Sequence, residues 1–254
     1  MKKVLLALMI TSSMIACKND DSGDGSASMK VYITDAPGDY EHIYLEVVEV
    51  ALNNGGWQTM TLTQPDTFDI LEYTNGDQLL LAEGDLDPGT TKEIRLVLGA
   101  NNSIVLKDGS SYELKVPSGQ SSGLKIKLNV DKNVQAGQTY YVVLDFDAAK
   151  SVVKTGNGKY QLKPVIRGYW DEGMGAAEGY ALPTSNQVSI HAIVNGSDTI
   201  GSALTDPDGY YKVSGLPQAN YSFYYLSSAG NDTLIPGVQV MQNQTTVVDT
   251  VNLN

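Results

Sequence analysis

Apolar and polar residues alternate along most of the chain with the two-residue period of half-buried β-strands. In the clearest example, Tyr140, Val142, Leu144 and Phe146 all fall on one side of a predicted strand. One helical turn is predicted near residues 148–152, and no longer helical period is present. We therefore predict an all-β protein, whose plainest alternating segments are residues 29–34, 91–98, 124–128 and 140–146.

Turn residues separate these strands at regular intervals. Asn53, Asn54, Gly55 and Gly56 link a long strand over residues 41–52 to a second over 57–62, which predicts a hairpin. A last strand is predicted over residues 160–166. Many short strands of this kind are typical of antiparallel sandwiches and barrels, so residues 29–167 are predicted to form one β-sandwich.

A second β-sandwich is predicted over residues 179–254. The segment between the two, residues 168–178, is rich in glycine and has no period, so it is predicted to be a linker. We expect Tyr169 and Trp170 in this linker to pack between the domains. The strands predicted for the second domain cover residues 187–194, 210–213, 221–226 and 245–253, with another near Val238.

The N-terminus has the features of a secretory signal. Residues 1–16 begin with two lysines and continue with an apolar stretch too short to span a bilayer. Residues 14–17, Met-Ile-Ala-Cys, resemble the bacterial lipobox, which implies cleavage before Cys17 and lipidation of its sulfur. The alternative is an ordinary secreted protein that is cut near Ala16 and keeps a free thiol.

Residues 17–28 are small, polar and acidic, and are predicted to be a flexible tether behind the lipid. Lys18 followed by Asp20 and Asp21 resembles the signal that exports some lipoproteins to the outer face of the outer membrane. These features predict an outer-membrane lipoprotein that is held in the lipid through Cys17 and exposed at the cell surface.

The formal net charge of −12 disfavours nucleic acid and anionic lipid as partners, because both favour clustered Lys and Arg. Cys17 is the only cysteine, so the predicted fold contains no disulfide and no cysteine metal site. No cofactor is predicted.

Three blocks of sequence resemble a domain of unknown function common in bacterial envelope lipoproteins. They are V-Y-I-T-D-A-P at 31–37, V-P-S-G at 116–119, and L-D-F-D-A-A-K-S at 144–151 followed by L-K-P-V-I at 162–166. This resemblance implies an all-β fold and a lipoprotein context, but no activity and no catalytic residues.

The second predicted domain resembles the carboxypeptidase-regulatory-like domain, a transthyretin-like β-sandwich. The resemblance lies in the turn at residues 205–211, in Gly215-Leu216-Pro217 and in Tyr221. It implies a non-catalytic module that belongs by fold among carbohydrate-binding-like sandwiches.

Asp145 and Asp147 are the strongest candidates for chemistry. They lie two apart on one predicted strand, so both carboxylates point to one side, where they could act as acid and base or hold a cation. The favoured alternative is an ion-paired face, with Lys150, Lys163 or Arg167 as neighbours.

Other candidates carry weaker signals. Asp206 and Asp208 could bind calcium, but their Asp-Pro-Asp-Gly sequence favours a hairpin turn. The Gly-x-Ser-x-Gly pattern at 119–123 precedes a strand rather than the helix that a hydrolase nucleophile needs. Five aromatic side chains are candidates for a ligand-binding surface, although alternation places about half of the tyrosines in the core: Trp57, Tyr210, Tyr211, Tyr224 and Tyr225.

Three functions are compatible with this sequence. The favoured one is a lipid-anchored, non-catalytic envelope protein that displays a binding or adhesion surface for a glycan or protein ligand. The second is a carboxylate-dependent, glycan-active enzyme that uses Asp145 and Asp147. The third is a structural subunit of an outer-membrane assembly.

Overall fold

The computed structural model of the chain describes residues 25–36, 38–63, 67–117 and 122–253. The predicted signal peptide, Cys17 and most of the tether lie outside these residues, as does most of the Gly-x-Ser-x-Gly pattern. None of the helices within the described ranges is long and apolar enough to cross a membrane.

The prediction of an all-β fold is confirmed. The first half of the described chain contains eleven strands and a single turn of 3-10 helix at Ile70–Glu72. The strands are β1 (Ala27–Ala36), β2 (His42–Asn53), β3 (Trp57–Thr59), β4 (Thr61–Leu62), β5 (Thr67–Asp69), β6 (Leu79–Leu86), β7 (Gly89–Leu98), β8 (Ser103–Val105), β9 (Ser111–Lys115), β10 (Leu124–Val134) and β11 (Thr139–Asp147).

The second half begins with the predicted helical turn, α1 (Ala148–Ser151). Eleven more strands follow among the residues described. They are β12 (Val152–Lys154), β13 (Tyr160–Leu162), β14 (Ile166–Trp170), β15 (Gly175–Leu182), β16 (Val188–Val194), β17 (Asp198–Leu204), β18 (Tyr210–Leu216), β19 (Ala219–Ser227), β20 (Asp232–Val240), β21 (Thr245–Val247) and β22 (Val251–Asn252).

Strands β1 to β14 form one long sheet in the order β12-β13-β9-β8-β2-β7-β10-β14-β11-β1-β6-β4, with β3 and β5 also paired to β2. The predicted antiparallel arrangement is wrong for β1, which runs parallel to β11 and antiparallel to β6. A parallel pair needs a long connection between its strands, and more than a hundred residues separate these two.

The remaining strands form two four-stranded sheets, β17-β16-β19-β20 and β18-β15-β21, with β22 also paired to β15. Their facing side chains make a second hydrophobic cluster between Ala177 and Leu253, while the first cluster runs from Ala27 to Trp170. The division of the chain into domains at the predicted boundaries stays a prediction.

Two predicted boundaries differ from the structure. The strand predicted over residues 160–166 is interrupted at residues 163–165, because Pro164 has no amide hydrogen to donate to a neighbouring strand. The predicted linker over 168–178 is mostly strand, since β14 and β15 leave only residues 171–174 outside regular structure.

Candidate functional site

Acidic side chains gather where the parallel strands β1 and β11 end. The register pairs Asp35 with Phe146 and Ala36 with Asp147. Asp35 therefore points into the core with Phe146, while Asp145 and Asp147 point to the opposite face of the sheet. Strand pairing thus brings together three carboxylates from distant parts of the sequence.

Asp35 is buried beneath the start of α1, with only 5% of the residue exposed. Its Oδ1 accepts a hydrogen bond of 3.1 Å from the Ala148 amide, whereas its buried Oδ2 has no partner in the described part of the chain. Burial raises the pKa of Asp35 well above its ordinary value, and the charges of Asp145, Asp147 and Asp69 raise it further.

Asp145 is held by Arg167 on the neighbouring strand β14. The Arg167 guanidinium donates to Asp145 Oδ2 from Nη2 at 2.7 Å and from Nε at 3.2 Å. Burial raises the pKa of Asp145, and the charge of Arg167 opposes that rise. The carboxylate is therefore occupied by an ion pair of the kind that the alternative prediction describes.

Asp147 has a structural role at the N-terminus of α1. Its Oδ1 accepts from the Lys150 amide at 2.9 Å, and its Oδ2 accepts from Lys150 Nζ at 2.7 Å. The first bond caps an amide that has no partner within the helix. Asp145 and Asp147 thus contact separate cations, and neither is arranged as a free acid or base.

Arg167 also links the long sheet, to which β14 belongs, to strand β18 in the second half of the chain. Its Nη1 donates to the Gly215 carbonyl at 2.8 Å, and its Nη2 lies 3.4 Å from the Ser214 carbonyl, both on β18. Its guanidinium carbon lies 4.8 Å from the centre of the Tyr169 ring. A side chain on Gly215 would overlap that ring, so the close approach of β18 requires glycine at this position. Tyr169 thus lies between the two parts as predicted, whereas Trp170 belongs to the first hydrophobic cluster.

A groove of about 360 Å³ lies beside these groups. We call it the junction groove, and Asp147 and Lys150 line one side while Ser189, His191 and Ser202 line the other. His191 Nδ1 lies 2.9 Å from Ser202 Oγ, and burial, followed by the charge of Lys150, lowers the pKa of His191. The groove combines the Lys150–Asp147 ion pair and several hydroxyl groups with a mostly apolar lining from residues such as Leu204 and Leu226.

The other histidine is part of a separate contact. His42 Nδ1 lies 2.6 Å from Asp69 Oδ2, and the ring stacks on Tyr44 at 5.6 Å between ring centres. Asp69 Oδ1 also accepts from the Ile43 and Leu71 amides. Asp69 therefore orders the backbone around the 3-10 turn as well as holding the imidazole.

The predicted aromatic candidates do not form one surface. Tyr211 and Tyr225 are fully buried, and their hydroxyls are 2.5 Å apart. Tyr210 donates to Glu178 at 3.0 Å, and Tyr224 stacks on His191. Trp57 lies in the other part of the molecule, with Arg95 over its ring at 4.8 Å.

Asp206 and Asp208 lie in a tight turn as predicted, but the turn joins β17 and β18, which belong to different sheets, so the predicted hairpin is wrong. Asp206 Oδ1 accepts from the amides of Asp208 and Tyr210, each at 2.9 Å, and Gly209 takes a positive φ of 82°. The Asp206 carboxylate is therefore occupied by backbone amides of the turn. Across the described ranges, no three His, Cys, Asp or Glu side chains lie close enough together to hold a metal ion.

Asp35 was missed by the sequence analysis, although a signal was available. The inward positions of β1 are Met29, Val31 and Ile33, and the next position in the same phase is Asp35. A carboxylate at an inward position of an apolar strand is unusual, because burial of an unpaired charge is costly. The alternation itself could have identified it.

We expect replacement of Asp35 by asparagine to stabilise the fold at pH 8 and to lose that effect towards pH 4. A raised pKa means that the folded chain holds the proton more tightly, so the stabilisation from protonation is complete below the unfolded pKa of about 4 and is lost as the pH rises through the folded pKa. Each unit of pKa difference corresponds to about 1.4 kcal/mol. Urea unfolding at pH 4, 6 and 8 measures the difference between variant and wild type.

The matched control is Asp85→Asn, an exposed position on β6. The same substitution at this exposed site shows the effect of removing one surface carboxylate. An Asp35→Asn difference that is constant from pH 4 to pH 8 would contradict the expected linkage.

One family matches more than half of the chain. It is described as a domain of unknown function, DUF4382, and the match covers residues 26–164. The chain belongs to this family. In the DUF4382 domain, Asp35, Asp145 and Asp147 lie within the matched stretch, whereas Arg167 and the whole of β14 lie beyond it.

Comparisons beyond the family are remote. A search of curated proteins finds no match. Among solved structures, the Bacillus anthracis TIE protein is similar over 91% of this chain at 10% identity with a TM-score of 0.28, and this chain spans only 34% of that protein. The major pilin subunit BcpA of Bacillus cereus is similar over 90% of this chain and 71% of its own length, at 10% identity and a TM-score of 0.20.

A third solved structure is GBS52, the minor pilin of Streptococcus agalactiae. It is similar over 89% of this chain and 96% of its own length, at 12% identity and a TM-score of 0.23. These TM-scores are too low to carry an argument about fold or function. The family membership is therefore the comparison that bears on this chain, and it comes without an assigned activity.

Proposed function

We propose that the protein is a lipid-anchored, non-catalytic cell-envelope protein that displays a binding or adhesion surface for a glycan or protein ligand. The non-catalytic part of this proposal is supported by the contacts of Asp145 and Asp147, both of which are bound to cations. Asp145 is paired with Arg167, and Asp147 caps α1 and contacts Lys150. A carboxylate-dependent enzyme needs an acid and a base that are free to exchange protons with a substrate.

The anchoring part of the proposal is supported by the sequence. Cys17 follows a short apolar stretch and precedes a polar segment that contains three aspartates, so lipid at this cysteine would place the folded chain at the end of a tether. The predicted location is the outer membrane, with the folded part facing outward.

Replacement of Cys17 by alanine tests the anchor. The wild type is expected in the membrane fraction and to incorporate radiolabelled palmitate, and the Cys17→Ala protein is expected to lose both properties. Protease added to intact cells should degrade the wild type if it faces outward. A Cys17→Ala protein that stays in the membrane, together with a wild type that takes up no label, would overturn lipid anchoring.

An assay of glycan hydrolysis by the purified wild type and two aspartate variants tests the absence of catalysis. Glycan hydrolysis that is lost in Asp145→Asn and in Asp147→Asn, while circular dichroism shows that both variants are folded at the assay temperature, would replace this proposal with the enzymatic one.

A further inference from the structure

A second feature of the surface is unrelated to the acidic cluster. A depression of about 560 Å³ lies between β9 and the turn that joins β12 to β13. The rings of Tyr112 and Tyr160 lie side by side here, with centres 4.8 Å apart. Tyr112 is 39% exposed and Tyr160 only 7%, so the buried ring supports the exposed one. The result is an aromatic ring held in place and open to solvent.

The depression continues on the other side of β9. A neighbouring depression of about 640 Å³ shares Tyr112 and Glu113 with the first and extends to Tyr44, Asn101 and Ser103. We call the two together the Tyr112 groove. Because Tyr112 and Glu113 line both halves, one extended ligand could contact both.

The lining mixes aromatic and small apolar groups with hydrogen-bonding groups in about equal measure. Among the described lining residues there is no Leu, Ile, Val, Met or Phe, and the groups other than the tyrosines include amides and hydroxyls such as Asn157, Gln161 and Ser103. The buried centre of a protein–protein interface is more apolar than its rim, and the large aliphatic side chains that would form such a centre are missing from this lining. Many hydrogen-bonding groups around exposed aromatic rings instead suit a carbohydrate, whose C–H face packs on a ring while its hydroxyls bond to the sides.

The charge of the groove differs from that of the whole protein. The chain carries a formal charge of −12, yet Lys115 and Lys159 both line the groove, against one carboxylate from Glu113. In the described ranges neither lysine takes part in an ion pair. Lys154 adds a third cation over the Tyr160 ring, at 5.7 Å from its centre. Unpaired cations in an acidic protein favour an anionic ligand at this position.

We propose that the Tyr112 groove binds a polysaccharide that contains uronic acids, with a sugar ring on Tyr112 and a carboxylate bound by Lys115 and Lys159. This inference rests on the proposed function, because it names the class of ligand that the displayed surface holds. The groove lies within the DUF4382 stretch, so the family domain itself would carry the binding.

The test uses the full chain purified in detergent and hexasaccharides of galacturonate, alginate and hyaluronate. Each hexasaccharide is paired with its own carboxyl-reduced form, which keeps the linkage and removes the charge. Isothermal titration is expected to give a Kd below about 1 mM for at least one acidic hexasaccharide, at least tenfold weaker binding of its reduced form, and weaker binding as salt rises.

Two variants locate the site. Tyr112→Ala and the double variant Lys115→Met with Lys159→Met are each expected to weaken binding at least tenfold, and the double variant should also lose most of the salt dependence. The matched controls are Tyr141→Ala, at a tyrosine 43% exposed on β11, and Lys92→Met, at a lysine exposed on β7. Both controls should bind like the wild type, and thermal unfolding checks that all variants are folded.

Three results would overturn the inference: no binding of any acidic hexasaccharide, equal binding of acidic and reduced forms, or unchanged binding by both groove variants. None of these results bears on the Cys17→Ala fractionation. Failure of this ligand assignment is therefore distinguishable from failure of the proposed anchoring.

Discussion

Replacement of Arg167 by methionine is expected to lower the free energy of unfolding by about 3 kcal/mol. Removal of one partner from a buried ion pair costs about 3–5 kcal/mol, because the other charge is left buried without compensation. The lower end applies here, since 29% of the Arg167 side chain and 14% of the Asp145 side chain remain exposed. Urea unfolding at pH 7.5 measures the change.

A double variant identifies the cause. Arg167→Met combined with Asp145→Asn should recover a large part of the loss, because it removes the uncompensated charge. The matched control is Lys92→Met, whose ion pair with Asp131 is 58% exposed on both sides and should cost less than about 1 kcal/mol. If the loss of stability in the double variant equals the sum of the losses in the two single variants, Arg167 stabilises the fold through its contacts with β18 rather than through Asp145.

Replacement of Trp170 by alanine is expected to cost about 3–5 kcal/mol, as is usual for a large aromatic side chain removed from a core. Trp170 is 2% exposed, its indole Nε1 donates to the Val130 carbonyl at 3.0 Å, and its ring meets Tyr140 edge-on. The variant loses this packing and leaves the Val130 carbonyl without its donor.

Trp57 supplies the control on the same sheet. It is half-buried, lies outside the first hydrophobic cluster and has the Arg95 and Lys125 cations over its ring, contacts that are worth about 0.5–1 kcal/mol at exposed sites. Trp57→Ala should therefore cost much less than Trp170→Ala in the same urea titration. A Trp170→Ala cost as low as the one expected for Trp57→Ala would mean that β14 contributes little to the first core.

The position of β14 explains why this comparison matters. The family match ends at residue 164, but β14 lies between β10 and β11 inside the long sheet. A chain ended at residue 164 would lose an interior strand and its tryptophan. The matched stretch is therefore shorter than the structural unit to which it belongs.

Local patterns predicted the strands well. Alternation identified β1, β7, β10 and β11, and turn residues placed the hairpin between β2 and β3. The proximity of charged residues in sequence and on predicted strands also anticipated the cations beside Asp145 and Asp147. Most of these features depend on residues that are a few positions apart, whereas Asp145 and Arg167 meet because β11 and β14 pair antiparallel.

Strand β15 was hidden because its residues are small. Residues 175–179 read Gly-Ala-Ala-Glu-Gly, which has no apolar side chain large enough to show a period. The structure needs this composition, since a side chain at Gly179 would overlap the Val248 carbonyl and the Tyr211 hydroxyl. The small residues that allow the strands to approach closely therefore looked like a linker in the sequence.

The Tyr112 groove was hidden for a different reason. Its two sides come from residues near 112 and near 160, and they meet because β9 and β13 pair in parallel. No local period encodes which distant strand becomes a neighbour. The pairing of β1 with β11, which brings Asp35 close to Asp147, was unpredictable on the same grounds.

The parallel pairing of β1 with β11 also constrains the order in which the chain can fold. The partner of the first strand ends at Asp147, and β14, on the other side of β11, ends only at Trp170. During synthesis β1 can pair with β6 early, but its other side must wait for β11, and closure of so long a loop is slow. Until β11 and β14 are made, the β1 edge that β11 later covers has no strand partner in the sheet, so the incomplete chain presents an open edge at which another chain could pair.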